Sequence, residues 1–392
     1  MNKEQFDLII NRRNTNSKKW DLEGNGLIPF SIADMDFISP DEVIDAVTNR
    51  AKHGVYGYTY RSEDYYRSII NWVDKHYEWK IAQEEICHSP GIVTGLNLII
   101  DTFTELGDGV IIQPPVYYPF LNSIKNNNRK IVYNNLVYNN ETYEMDFVDL
   151  ENKIIESDAA LLFLCNPHNP VGRVWTKEEL ELLGNICLKH NVIIVSDEVH
   201  SDIIFDGHKH QSFASISNAF ANQSITCISP SKTFNLAGLQ TSAIIIPNED
   251  LRSQYMNTLK RLSLDKISPF GVVALEAAYN NGSVWLEKLL EYLQGNLKFG
   301  IKYLKTHLPE LKLSVPEGTY LLWLDCRELN MSNEELEKFM LNKVKINVRQ
   351  GYQFGPGGEG FIRLNFACPR SMLQQGLSQL KEAVIELRRK QF

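Results

Sequence analysis

Six short apolar stretches, spaced by helical patterns, leave this chain few ways to fold. They are Gly109–Gln113, Lys130–Tyr133, Ala159–Leu164, Val192–Val195, Ser224–Ile228 and Thr241–Ile246, rich in Ile, Val and Leu and too short for helices. Helical periodicity fills the intervals near 118–127, 147–156, 176–190 and 251–262. Near-continuous apolar runs mark strands buried on both faces, so the rhythm predicts a mostly parallel sheet covered by helices on both sides. Segments following such strands gather at one edge of the sheet, where open α/β folds place their ligands.

The rest of the chain predicts a smaller α+β domain beside this α/β one. Residues 268–308 read as helical, with one long connecting helix after Gly282. Leu311–Val315, Tyr320–Asp325, Lys345–Val348 and Gly360–Phe366 read as strands, closed by a helix over Met372–Arg389. Residues 1–30 read as an extended arm with Asn14, Asn16, Gly24, Asn25 and Gly26 as turn-formers. A helix is expected from Pro40, with Ser39 as its cap. The expected division is 1–45 for the arm and part of the small domain, 46–282 for the large domain, and 283–392 for the small C-terminal domain. A chain of 392 residues is long enough for both. Gly355-Pro-Gly-Gly-Glu-Gly360 fits no phosphate fingerprint and reads as a loop.

Bulk properties narrow the function. A net charge of −8 argues against nucleic acid or an anionic membrane as a partner. The six cysteines are scattered without ligand spacing, as expected of reduced core residues, and no metal is implied. The first residues lack a signal peptide's apolar core, Arg12-Arg13 has no hydrophobic stretch behind it, and no apolar run approaches a membrane span. These features point to the cytoplasm.

Four strand ends carry the chemistry. They are Pro114-Pro-Val-Tyr-Tyr-Pro119, Cys165-Asn-Pro-His-Asn-Pro-Val-Gly-Arg173, Ser196-Asp-Glu-Val-His200 and Ser229-Pro-Ser-Lys232. A lone lysine after Ser-x-x is usually a solvated loop residue. Lys232 differs because it sits between two core strands, where desolvation lowers an amine's pKa and makes it a nucleophile towards aldehydes. Ser89-Pro-Gly-Ile-Val-Thr-Gly95 opens a helix through Leu96 and Phe103, and such a glycine-bearing turn is a natural phosphate cradle. The tyrosines of Gly54-Val-Tyr-Gly-Tyr-Thr-Tyr60 read first as packing or interface residues.

In this order and spacing, Asn169-Pro-Val-Gly, Ser196-Asp-Glu-Val-His and Ser229-x-Ser-Lys-Thr-Phe-Asn-Leu-Ala-Gly resemble the fold-type I pyridoxal-phosphate enzymes. Ile28-Pro-Phe-Ser-Ile-Ala-Asp-Met-Asp-Phe and Gly57-Tyr-Thr-Tyr-Arg resemble the cystathionine β-lyase, or C–S lyase, branch of the class I/II aminotransferase superfamily. The resemblance covers nearly the whole chain. It implies pyridoxal 5′-phosphate as cofactor, held by Lys232, which then acts as base at Cα. It makes Asp197 the partner of the pyridine nitrogen and Asn169 a donor to the ring oxygen. Tyr117 would stack on the ring, while the Ile92 and Val93 amides and the Ser229 hydroxyl would hold the phosphate. His200 stands where aminotransferases usually carry a tyrosine, and either orients Asp197 or touches the cofactor. Gln240 replaces an arginine usual at the phosphate. Arg363 would clamp the substrate α-carboxylate, and Tyr58 would reach the site of a neighbouring subunit in a homodimer. Arg370, Asp34 and Asp36 receive no catalytic part. Tyr60, Arg61 and Ser268-Pro-Phe-Gly271 are candidates for the side-chain pocket.

The implied reaction is α,β-elimination on a sulfur amino acid such as L-cystathionine or cysteine, giving pyruvate, ammonia and a thiol. An aminotransferase is the first alternative, because the same residues around the cofactor serve both reactions. A cofactor-binding regulator acting through a partner protein is the second.

Overall fold

The computed structural model describes residues 3–22 and 26–391; Gly24 and Asn25 of the expected arm turns lie outside the described residues. Its centre is a seven-stranded sheet. In chain order the strands are β1 (Ile86–Ser89), β2 (Gly109–Ile112), β3 (Lys130–Tyr133), β4 (Leu161–Cys165), β5 (Ile193–Asp197), β6 (Ser224–Ile228) and β7 (Ser242–Ile245). Their spatial order is β1-β7-β6-β5-β4-β2-β3, and only β7 runs against its neighbours.

Why both faces are apolar is visible along β2. Val110 and Ile112 pack with Leu96, Ile99, Phe163 and Val195 on one side. Ile111, between them, packs with Leu162, Leu164, Leu183 and Phe220 on the other. The two-residue period of a strand divides a continuous apolar run between two cores. The covering helices start where the sequence offers caps: Thr176 and Glu179 form a reciprocal capping box at Lys177–Lys189.

A second, antiparallel sheet holds β8 (Lys312–Ser314), β9 (Leu321–Asp325), β10 (Arg349–Gln350) and β11 (Phe361–Asn365), in the order β8-β9-β11-β10. The helices Ser283–His307 and Arg370–Gln391 pack beside it. Here three expectations need correction. The run Lys345–Val348 does not supply this sheet's strand: Ile346–Asn347 pairs in parallel with Ile28–Pro29, and the sheet takes Arg349–Gln350 instead. That pairing joins segments more than 300 residues apart, so no local pattern announces it. The edge strand Ile86–Ser89 was not anticipated either; its four residues are too few to show a period. The first long helix begins at Asp41 with Pro40 as its cap residue, because the Ser39 hydroxyl turns to the Asn235 carbonyl.

The N-terminal arm is pinned by charge. Arg12 donates to Asp34 (3.0 Å) and Asp36 (2.6 Å), and the wholly buried Lys19 donates to Asp36 at 2.7 Å. Trp20 Nε1 also donates to Asp36, at 2.8 Å. Asp36 is therefore spent on structure, and the same arm fixes Asp34 in place. Burial pushes Asp34 up, but the Arg12 hydrogen bond and the charge of Lys19 outweigh it and hold the carboxyl below its usual range. Removing one member of a buried ion pair leaves an uncompensated charge and costs about 3–5 kcal/mol. Asp36→Ala is expected to lower the unfolding free energy by about that amount, read from urea denaturation, and a loss under about 1 kcal/mol would contradict it.

Candidate active site

Parallel register builds the site. Cys165 at the end of β4 lies opposite Asp197 at the end of β5, which lies opposite Cys227 near the end of β6. The loops beyond these positions carry Asn169, His200, Ser229 and Lys232. Tyr117 precedes the helix Tyr118–Asn126 that follows β2, and the helix Ile92–Phe103 begins at the same edge. Arg363 enters from β11 of the second sheet. Cys165, Asp197, Asn169, His200, Ser229, Lys232, Tyr117 and Arg363 line one cavity of about 280 Å³, together with Ile92 and Val93 at the start of the helix Ile92–Phe103. Tyr58 does not: its ring is 97% exposed on a loop outside this chain's cavity. Nor do Tyr60, Arg61 or residues 268–271 line it, and Arg61 is engaged with Tyr66 and the Asp265 carbonyl.

Lys232 follows the cap residue Ser229 in the short helix Pro230–Thr233. Its Nζ donates to the Ala33 carbonyl at 2.5 Å, and the Tyr320 hydroxyl donates to the same oxygen at 3.1 Å. Burial pushes the Lys232 amine down to about 8; the Asp34 carboxylate opposes that shift, and the positive charge of Arg363 adds to it. Ser229 differs from expectation. Its hydroxyl donates to the Thr241 carbonyl (2.8 Å) and accepts from the Ser231 amide (3.1 Å), so its proton is committed to closing the turn. Ser231 and Thr241, which line the cavity beside it, went unnoticed in the sequence.

Asp197 is 2% exposed, and burial pushes its carboxyl up to about 7 against the Val199 amide, which donates to it at 3.2 Å, and the charge of Lys232. His200 is equally deep, its Nδ1 has no hydrogen-bond partner among the described residues, and its ring meets Tyr320 edge-on at 5.5 Å. Burial first, then the charges of Lys232 and Arg363, hold its imidazole well below the ordinary range and neutral. Asn169 Oδ1 accepts from Arg363 Nη1 at 3.0 Å, which orients the amide nitrogen away from the arginine. Arg363 also donates to the Ser31 carbonyl at 2.7 Å and lies on the Phe354 ring at 5.0 Å. Gly172 (φ +80°) is required by space as well as φ, because a Cβ would strike Pro316 at 2.6 Å; at Gly91 (φ +92°) the neighbour is the movable Gln240 Oε1, and φ alone asks for glycine.

Residues 25–380 match the family described as Aminotransferase class I and II. The chain belongs to that family. Within the class I and II aminotransferase family, it is 44% identical to cystathionine beta-lyase PatB of Bacillus subtilis strain 168, over 97% of this chain and 99% of that one. The crystal structure of cystalysin from Treponema denticola, which contains pyridoxal 5′-phosphate, superposes with a TM-score of 0.95 at 38% identity, covering 97% of this chain and 99% of that one. A pyridoxal-phosphate-bound C–S lyase from Staphylococcus hominis does so with a TM-score of 0.92 at 35% identity, covering 97% and 98%. Curated relatives named aspartate aminotransferase stand further off, at 24% and 26% identity. The fold is that of the pyridoxal-phosphate enzymes of type I.

The cavity suits that cofactor on its own terms. A buried carboxylate with one amide donor, Asp197, calls for a cation such as a protonated ring nitrogen. The Gly91 turn lines the cavity at the N-terminus of the helix Ile92–Phe103, whose Ile92 and Val93 amides lack helical acceptors. Among the described residues no helix is long and apolar enough to cross a membrane, and no cluster of side chains could hold a metal ion.

The neutral amine is the form that attacks an aldehyde. With Lys232 near 8, the rate at which the apo-protein captures pyridoxal phosphate is expected to rise with pH and level off above about 8, well below the usual lysine range near 10.5. Asp34 favours the ammonium form, so Asp34→Asn is expected to shift the half-point to lower pH; a shift upward would overturn this assignment. Stopped-flow absorbance across pH 6–10 measures both.

Proposed function

We propose that the chain is a pyridoxal-phosphate-dependent C–S lyase that eliminates a thiol from a β-thio amino acid such as L-cystathionine. The observation that carries this reading is the cavity itself, where a softened amine (Lys232), a buried carboxylate (Asp197) and an arginine (Arg363) converge in a chain related over 97% of its length to a cystathionine beta-lyase. When bound, the cofactor supplies an aldehyde that condenses with amines and an electron-poor ring that delocalises charge from Cα.

Each residue has a physical part in this reading. Lys232 holds the cofactor, and once displaced takes the Cα proton; an amine titrating near neutrality can accept and return protons at working pH. Asp197 keeps the ring nitrogen charged, while Asn169 and the neutral His200 serve the ring's polar edge or orient Asp197. Tyr117 covers one face. The Ile92 and Val93 amides receive the phosphate; with Gln240 in place of an arginine, dipole and amides carry that charge. Arg363, braced by Asn169 and the Ser31 carbonyl, binds the α-carboxylate through its fork. Protonation of the leaving thiolate falls to Lys232 or Tyr58, and the released enamine hydrolyses to pyruvate and ammonia.

Tyr58 can act only from another copy of the chain, and the exposed apolar set Val55, Tyr56, Tyr58 and Tyr60 supports a homodimer with shared sites. The proposed division near residues 45 and 282 places Lys232 in the large domain and Arg363 in the small one. An aminotransferase reading uses the same residues but returns the proton to the cofactor.

Incubation of the holoenzyme with L-cystathionine and no keto acid separates the two readings. Continuous pyruvate release is expected; a single stoichiometric turnover would assign the chain as an aminotransferase. Lys232→Ala is expected to lower turnover by at least about a thousandfold, as loss of both a covalent anchor and a general base demands. Sedimentation is expected to give twice the 45.0 kDa chain mass.

A further inference from the structure

The turn that carries Lys232 cannot hold itself. The helix Pro230–Thr233 is four residues long, and a single helical turn fixes several residues in return for one hydrogen bond. Its start is tied by Ser229, whose hydroxyl donates to the Thr241 carbonyl. Its end is tied by a carboxylate that no motif marks. Asp202 Oδ2 accepts from the Thr233 hydroxyl at 2.6 Å. Thr233 is wholly buried, and neither it nor Asp202 lines the cavity.

Asp202 is itself fixed from several sides. Its Oδ1 accepts from the Tyr77 hydroxyl at 2.5 Å and from Trp72 Nε1 at 3.2 Å, both on the helix Glu63–Tyr77. A carboxylate offers about four lone-pair positions, so three converging donors suit it better than they would a neutral amide. The residues after it are bound to the segment leading into β9. The Thr319 amide donates to the Ile203 carbonyl at 2.8 Å, and the Phe205 amide to the Glu317 carbonyl at 2.9 Å. Thr319 keeps φ at +68°, a strained value for a β-branched residue, and such strain persists only where the surroundings fix the backbone. Tyr320 comes next, and its hydroxyl reaches the Ala33 carbonyl that also receives Lys232 Nζ. One short loop therefore bears on both ends of the lysine, on its backbone through Thr233 and on its amine through Tyr320.

Resting on the reading of Lys232 as cofactor anchor and base, and deepening it, we propose that Asp202 is a positioning residue. Through the Thr233 hydroxyl it holds the lysine's backbone at the point from which the amine meets first the cofactor's aldehyde and then the substrate Cα. Asp202 stays outside the cavity and acts only through that contact.

The test uses Thr233→Val, which keeps the shape of the side chain and removes its hydroxyl, and Thr233→Ser, which keeps the hydroxyl. Capture of pyridoxal phosphate by the apoprotein is followed by absorbance, kcat and KM come from pyruvate release on L-cystathionine, and urea denaturation gives stability. Thr233→Val is expected to slow capture and lower kcat by about tenfold to a hundredfold, the cost of a misplacement of about 1 Å. KM is expected to stay within about twofold, and Thr233→Ser to recover most of both rates. A Thr233→Val chain that loses stability yet captures and turns over at the wild-type rate would overturn the proposal, as would a loss confined to KM. Tyr77→Phe loosens the same carboxylate from further away and is expected to slow capture by a smaller factor. Should Thr233→Val not fold, an unchanged capture rate in Tyr77→Phe would overturn the proposal. Capture needs no thiol release, so a wild type that captures the cofactor without yielding pyruvate would sink the lyase reading while the part of Asp202 is still measured. A wild type that captures nothing would sink both.

Discussion

Burying the Lys232 amine costs solvation, and the structure offsets part of that cost with one carbonyl and one carboxylate. The Ala33 carbonyl accepts the Nζ hydrogen bond, and Asp34, next along the chain, supplies the opposing charge. Neither belongs to the sheet that carries the lysine. They come from a segment about 200 residues earlier, which the arm holds in place through Arg12, Lys19 and Asp36. The ion cluster is remote from the chemistry, yet it fixes the oxygen against which the amine rests. A softer attachment would let water in and return the lysine towards its ordinary protonated state.

Much of this was legible from local pattern. The parallel sheet announces itself because apolar runs such as Leu161–Cys165 serve two cores at once, and strand direction then gathers Asn169, Asp197 and Lys232 without further information. Arg363 is legible only through a motif that resembles a family, since a buried arginine on a strand has no periodic signal of its own. What escaped notice shares one cause. The Ile28–Pro29 pairing and the Ala33 acceptor both depend on contacts between distant segments. Ser229 shows the converse: the residue type suits an anion donor, but a nearby carbonyl, Thr241, takes its proton first.

The electrostatics of the cavity follow a division of labour. Burial works against charge on Lys232, Asp197, His200 and Arg363 alike, but the consequences differ with the partner. His200 stays neutral chiefly because it is buried, and also because the cations of Lys232 and Arg363 face it. Asp197 needs a cation to remain ionised, while Arg363 stays charged because a guanidinium holds its proton even when desolvated.

The segment that shelters Lys232 has a consequence for biosynthesis. Phe30 and Ile32 offer their carbonyls to Asn365, Ser31 to Arg363, and Ile28 lines up with Ile346. Residues 28–32 thus wait for partners made more than 300 positions later before their wall can close. A nascent chain holding the whole central sheet still lacks a shelter for its lysine, so capture of the vitamin-derived aldehyde belongs to a chain that has passed Asn365, and one cut short before it would be born without that shelter.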